Sequence, residues 1–96
     1  MKELDELRLE INRADDALLQ AFIQRMRISR EIGACKREHG LPIWDEAREA
    51  QIIKRQSDAV PEDLQPYLPL LYKTLFKLSR DYQRDSAGED VCDSDC

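Results

Sequence analysis

The sequence predicts an all-α fold in which each protomer has one long helix and two shorter ones. The chain is rich in Leu, Ala, Glu, Arg, Lys and Gln, which favour helices. It has only three glycines in 96 residues and few β-branched residues, which argues against a sheet. A chain of this length forms one domain with a modest core.

The first helix is predicted to run from Leu4 to Glu38. At about 1.5 Å per residue it is roughly 50 Å long. Gly40 supplies a stop, and Pro42 prevents the helix from resuming. An apolar seam recurs along it at steps of three and four residues, with an arginine at position 25: Leu4, Leu7, Ile11, Ala14, Leu18, Ala21, Ile28, Ile32 and Cys35. We expect the thiol at the end of this seam to be buried.

Two shorter helices follow the linker at residues 41–44. Asp45 is the predicted N-cap of a second helix that ends near Ser57. The third helix begins near Pro66 and Pro69 and ends near Arg84. It carries its own apolar face: Leu68, Leu71, Leu75, Leu78 and Tyr82. The predicted domain is therefore residues 1–84, and the acidic residues 85–96 are predicted to form a disordered tail.

The helix lengths predict a homodimer. The second and third helices are roughly 18 and 25 Å long, so neither covers the first. The seam from Leu4 to Ala21 would then remain in water, and exposed apolar patches of this kind usually mark an interface. We therefore expect the long helices of two protomers to pair in an intertwined dimer.

Composition excludes several classes of function. The net charge of −5 opposes nucleic-acid binding, which needs a basic face. No apolar run approaches the ~20 residues that span a bilayer, and no signal peptide is recognisable. Three cysteines make no disulfide framework, and Cys92 and Cys96 lack a histidine or a third cysteine with which to hold a metal. A cytoplasmic protein with free thiols and no metal is expected.

Arg25 interrupts the apolar seam. A buried charge without a partner is costly, and the seam offers no neighbouring acid. Arg25 therefore pairs with an acid elsewhere in the fold or binds an anion from outside it. Lys36 lies almost three whole turns later on the same face, so the two cations can bracket a small anion. Lys36 taken alone is better interpreted as a solvated lysine at a helix end.

Other polar residues are expected near these cations. The short linker returns the start of the second helix, with Asp45, Arg48 and Glu49, to the end of the first. Ser79 and Gln83 continue the stripe of Tyr72 and Phe76 on the third helix, and polar residues in such a stripe tend to face inward. Taken alone, they are better interpreted as a frayed polar helix end.

Arg8 stands apart from this group. It lies ~26 Å from Arg25 along the first helix, too far for one metabolite to bridge. It can reach such a site only across an antiparallel dimer, and it is otherwise better interpreted as an exposed arginine.

The ordered set of these residues resembles the all-helical AroQ class of chorismate mutases. The resemblance covers residues 4–84. It rests on these fragments: Leu7-Arg8-x-x-Ile11, Asp15-x-x-Leu18-Leu19, Arg25, Ile32-Gly33-x-x-Lys36, Gly40-x-Pro42-x-x-Asp45-x-x-Arg48-Glu49 and Ser79-x-x-x-Gln83. It implies a dimer of three-helix protomers that converts chorismate to prephenate without a cofactor, each site borrowing an arginine from the partner.

The resemblance also implies roles for individual residues. Arg25 and the partner's Arg8 would hold the two carboxylates of the substrate. Lys36 and Gln83 would donate hydrogen bonds to the ether oxygen of the breaking bond. Glu49 and the backbone of Asp45 would engage the ring hydroxyl, and Arg48 and Ser79 would complete the carboxylate end. Two other hypotheses remain: an isochorismate pyruvate-lyase on the same fold, and a dimeric helical interaction module without catalysis.

Overall fold

The computed structural model describes residues 2–87, which form three α-helices and one short 3-10 turn. Helix α1 spans Leu4–Glu38, α2 spans Glu46–Ala59 and α3 spans Leu68–Asp85, with the 3-10 turn at Glu62–Leu64. None of the described residues lies in a strand. The all-α prediction is confirmed, and α1 has the predicted bounds.

The last two helices extend slightly past their predicted ends. Helix α2 continues to Ala59 rather than Ser57. Helix α3 continues to Asp85, one residue beyond Arg84, and its C-cap Ser86 is buried. Most of the predicted tail, residues 88–96, lies outside the described residues, as do both cysteines in it.

Glycine and aspartate caps shape the connection between α1 and α2. Gly40 adopts φ +67°, in the left-handed region that glycine enters without strain. The following N–H of Leu41 donates to the carbonyl of Lys36 at 2.8 Å, which closes the end of α1. Asp45 is the N-cap of α2, because its Oδ1 accepts the N–H of Arg48 at 3.0 Å. This confirms the predicted cap.

The face of α1 that packs on α3 differs from the apolar seam. Its buried residues are Ser29 and Gly33, each one position further along the chain than Ile28 and Ile32. One residue is a rotation of about 100° around a helix, so the seam lies to one side of the face that is buried against α3. Cys35 lies two residues beyond Gly33, a rotation of about 200° from the buried face, and its thiol is exposed, so the prediction that it is buried is wrong.

The described residues bury little apolar surface. Phe76, at 5% exposure, is the buried apolar residue among them, and the other buried side chains are polar: Ser29, Ser79, Gln83 and Ser86. The radius of gyration is 17.1 Å, whereas a compact chain of this length has about 12–13 Å. The protomer is therefore extended rather than folded around a closed core.

The first half of α1 carries a row of exposed apolar side chains. Leu4, Leu7, Ile11 and Leu18 are all exposed, up to 61% for Leu18. This is the surface that the predicted dimer would cover. Within residues 2–87, no helix combines the length and the apolar character needed to cross a bilayer.

Candidate functional site

A cavity of about 270 Å³ lies where the second half of α1, the start of α2 and the end of α3 meet. This volume is close to the lower end of the range of about 300–1,000 Å³ found for small-molecule sites. Seven of the eight predicted site residues line it: Arg25, Lys36, Asp45, Arg48, Glu49, Ser79 and Gln83. The structure thus brings together residues from all three helices.

Arg25 projects from α1 towards α3. Its Nη1 donates to Ser79 Oγ at 2.8 Å. Its guanidinium carbon lies 5.8 Å from the ring centre of Tyr72 and 5.6 Å from that of Phe76. No acid within residues 2–87 forms an ion pair with it. Of the two explanations for the seam arginine, this environment favours an external anion over a structural ion pair.

Lys36 is held at the opposite end of the cavity by the linker. Its Nζ donates to the carbonyl of Ile43 at 2.8 Å, and the side chain is half-buried. An ammonium group carries three N–H donors, so this bond fixes its position and leaves two donors for a ligand.

Gln83 presents an unpaired amide atom in a buried position. It is 6% exposed, and its Nε2 donates to Ser29 Oγ at 2.8 Å. Its Oε1 is buried without a hydrogen-bond partner among the described residues. The Ser29 hydroxyl can donate or accept, so a half-turn of the amide would leave Nε2 unpaired instead. In either orientation, one polar atom of Gln83 remains for a ligand.

The start of α2 forms one wall of the cavity. Asp45 uses its carboxylate to cap the helix, and Arg48 is exposed at the rim. Glu49 is half-buried and forms an ion pair with Arg80 of α3. The bond joins Glu49 Oε2 to Arg80 Nη1.

Arg8 does not reach this cavity. Its side chain is 66% exposed, and its Nη1 lies 3.7 Å from Asp5 Oδ1 on the same face of α1. Within one protomer, the structure therefore leaves this predicted site residue apart from the other seven.

Some residues that line the cavity are absent from the predicted set. Arg80 follows Ser79 directly, and Ser29 lies one turn after Arg25. The apolar part of the wall comes from Ile28, Ile32, Ile43, Ile52 and Phe76. Ser29 was missed, although it shares one face of α1 with Arg25 and Lys36, and this spacing is the signal that could have identified it. Arg80 gave no such signal, because its contacts join residues far apart in the sequence.

The cavity is positively charged in an acidic chain. Its lining contains the cations Arg25, Lys36, Arg48 and Arg80 and the acids Asp45 and Glu49. The local excess is two positive charges, whereas the whole chain carries −5. The charge of a dicarboxylate is opposite to this local excess in sign and equal to it in magnitude. Within residues 2–87, no group of three or more His, Cys, Asp or Glu side chains is placed to hold a metal ion.

One carboxyl outside the cavity has a shifted pKa. A hydrogen bond from Lys77 holds the pKa of Asp81 below its ordinary value. Any stabilisation from this shift is present above the unfolded-state pKa and is lost as the pH falls through the folded-state pKa. Because this pair lies in solvent, the effect on stability is small.

The chain is similar to segments of several longer proteins. The chain is 36% identical over 55 residues to a 3-dehydroquinate dehydratase of Pyrobaculum aerophilum, covering 57% of this chain and 18% of that protein. It is 37% identical over 54 residues to the T-protein of Haemophilus influenzae, with 56% and 14% covered. It is 38% identical over 55 residues to a bifunctional chorismate mutase/prephenate dehydratase of Aquifex aeolicus, with 57% and 15% covered. The chain thus spans less than a fifth of each of these relatives, and no solved structure matches it significantly.

A family model covers most of the chain. The model described as chorismate mutase type II matches residues 7–84. The match includes every predicted site residue, from Arg8 to Gln83, and nearly all of the three helices. The resemblance inferred from the residues is confirmed, and the chain belongs to the chorismate mutase type II family.

Proposed function

We propose that this chain catalyses the rearrangement of chorismate to prephenate, a step of phenylalanine and tyrosine biosynthesis. One observation carries the proposal: a single cavity with an excess of two positive charges contains seven of the eight residues of the family pattern. The cytoplasmic location expected from the sequence belongs to the same proposal.

Arg25 would bind one carboxylate of the substrate. A guanidinium can hold a planar carboxylate through two parallel hydrogen bonds. Ser79 and the rings of Tyr72 and Phe76 fix its position before the substrate arrives. Arg48 lies at the rim of the same cavity. Arg8 of the partner subunit would bind the second carboxylate of the substrate.

Lys36 and Gln83 would act on the ether oxygen. In this rearrangement the ether C–O bond breaks while a C–C bond forms within the same molecule, so the protein supplies no proton or electron pair. Negative charge grows on the ether oxygen, and fixed donors stabilise it in the transition state. Lys36 has two donors to spare, and Gln83 donates once its amide turns so that Ser29 bonds to Oε1.

Glu49 and Asp45 would orient the substrate ring. The ring hydroxyl donates well to a carboxylate, and Glu49 lines the cavity next to the start of α2. The apolar wall around Ile28, Ile32 and Phe76 would hold the substrate in a compact conformer, which brings the reacting carbons together.

The direct test is an assay of the purified chain with chorismate and, in parallel, with isochorismate. We expect prephenate from chorismate, identified by NMR, and little pyruvate from isochorismate. Pyruvate release without prephenate would favour the lyase. A dicarboxylate analogue of the transition state should also raise the melting temperature, because it binds the folded state. No turnover of either substrate and no shift would favour the non-catalytic helical module.

Replacement of Gly33 by alanine tests whether the position of Gln83 matters. A Cβ at residue 33 would lie 2.8 Å from Gln83 Cγ and 2.9 Å from Gln83 Cβ. The buried amide must then move away from Ser29. We expect kcat/KM for chorismate to fall by about tenfold or more. This loss is expected even though alanine in a helix interior ordinarily stabilises the helix relative to glycine, by roughly 0.5–1 kcal/mol.

The control for Gly33→Ala is Glu31→Ala, at an exposed position of the same helix. Both variants are compared by steady-state kinetics and by thermal melting. A Gly33→Ala protein with wild-type kinetics would show that the site does not depend on the observed place of Gln83.

We also propose that the active form is a homodimer. Two observations support this: the exposed apolar surface on the first half of α1, and the distance of Arg8 from the cavity of its own chain. In an antiparallel pairing of two α1 helices, the start of each helix would lie beside the second half of the other. Arg8 would then approach the partner's cavity.

A further inference from the structure

Arg80 forms a contact that the family pattern does not include. It lies on α3 next to Ser79 and lines the same cavity. Its Nη1 donates to Oε2 of Glu49, 31 residues earlier in the chain. The two side chains are 19% and 22% exposed, respectively. The nearby Lys77–Asp81 pair on the same helix is 70% and 39% exposed. The Arg80–Glu49 pair is therefore an interior link between α3 and α2, unlike its surface neighbour.

Trp44 is the third member of this cluster. The guanidinium carbon of Arg80 lies 4.9 Å from the centre of the indole ring. A guanidinium stacked on an aromatic face is attracted by the ring and loses part of its freedom to rotate. Trp44 belongs to the linker between α1 and α2, and so the linker, α2 and α3 all meet at Arg80.

The contact with Arg80 affects Glu49 in two ways, through its charge and through its side-chain rotamer. A carboxylate in a cavity that receives a dicarboxylate repels it, and the charge of Arg80 offsets that repulsion. A glutamate side chain also has several rotamers, and the ion pair selects one of them. Because the bond engages Oε2, Oε1 can still accept a hydrogen bond from the substrate.

We propose that Arg80 is a positioning residue: stacked on Trp44, it holds the Glu49 carboxylate so that Oε1 accepts the ring hydroxyl of the substrate. This inference rests on the proposed mutase activity. The hydroxyl takes no part in the bonds that break and form, so Glu49 contacts it in the ground state and in the transition state alike. Loss of such a contact raises KM and leaves kcat nearly unchanged.

The test is a double-mutant cycle with Arg80→Met and Glu49→Gln in the full chain. Arg80→Met alone should raise KM for chorismate by about tenfold, and Arg80→Lys, which keeps the charge, should recover part of the loss. In the Glu49→Gln background, Arg80→Met should cost no more than about twofold, because residues that act as a unit are not additive. Lys77→Met removes a surface cation from the same helix and should leave KM at the wild-type value.

Three results would overturn this inference. Equal losses from Arg80→Met in both backgrounds would mean that Arg80 contacts the substrate directly or acts without Glu49. An unchanged KM with a lower melting temperature would mean that the link is only structural. If Arg80→Met does not fold, Trp44→Leu takes its place in the cycle. A rise in KM caused by Trp44→Leu that is of similar size in the wild-type and the Glu49→Gln backgrounds would again contradict the proposal.

The assay of the wild-type chain distinguishes a failure of this inference from a failure of the proposed function. A wild-type chain that forms no prephenate would overturn both. Prephenate formation by the wild type, together with independent effects of Arg80 and Glu49, would overturn only the role of Arg80.

Discussion

A Lys36→Met variant is expected to lose prephenate formation almost completely, with kcat reduced by about a hundred- to a thousandfold. Methionine has a similar length but no N–H donor and no charge. In the proposed mechanism, this charged donor would act on negative charge that exists only in the transition state, so kcat and kcat/KM should fall together. Initial rates over a full range of chorismate concentration measure both constants.

Lys54→Met is the matched control for the loss of a lysine. Lys54 lies on α2, is 81% exposed and pairs with Asp58 at 3.6 Å, outside the cavity. Lys36 also bonds to the Ile43 carbonyl, and a lost hydrogen bond costs about 1 kcal/mol of stability. Thermal melting shows whether the Lys36 variant remains folded. A folded Lys36→Met protein with wild-type kcat would remove Lys36 from the reaction.

The long helix was predictable because its signals are local. The apolar seam, the left-handed Gly40 and the following proline act over a few residues each, and together they define Leu4–Glu38. The end of α2 was less defined, because no breaker stands between Ser57 and Pro61. The helix therefore continues to Ala59.

The orientation of α1 could not be read from hydrophobicity alone. A seam normally marks the face of a helix that packs on its neighbours within the chain. Here α3 packs on the small residues Ser29 and Gly33 through the side chain of Gln83, while Ile28 and Ile32 line the cavity. The seam in the first half of α1 has no cover within the described protomer. The length of this exposed seam predicts that a second chain covers it, rather than a core within one chain.

The part of the candidate site that lies on a single helix could be predicted from the sequence. Arg25 and Lys36 share a face because their spacing is nearly a whole number of turns. Arg80 and Trp44 depend instead on how α3 packs against α2 and the linker, which no local pattern specifies. The unpaired amide atom of Gln83 likewise emerges only when Ser29 is placed beside it. Such contacts require the tertiary structure.

Mixing an Arg8→Ala protein with an Arg25→Ala protein is expected to restore activity that neither has alone. In the proposed homodimer, each variant would lack one carboxylate ligand in every site, so each should be nearly inactive. In a heterodimer, one site combines an intact Arg25 with an intact Arg8 from the other chain, and the second site lacks both. Random exchange at equal concentrations should therefore give about a quarter of the wild-type specific activity.

The measurement is chorismate turnover after the mixed variants have been unfolded and refolded together, with separately refolded variants as the control. The same mixing with Lys36→Met and Arg25→Ala gives no intact site, because both residues belong to one chain's cavity. Recovery in the first mixture and none in the second would locate Arg8 on the opposite chain from Arg25. If neither mixture recovers although heterodimers form, Arg8 does not serve the partner's site. The cavity residues of one protomer, which have an excess of two positive charges, would then have to bind the dicarboxylate without Arg8.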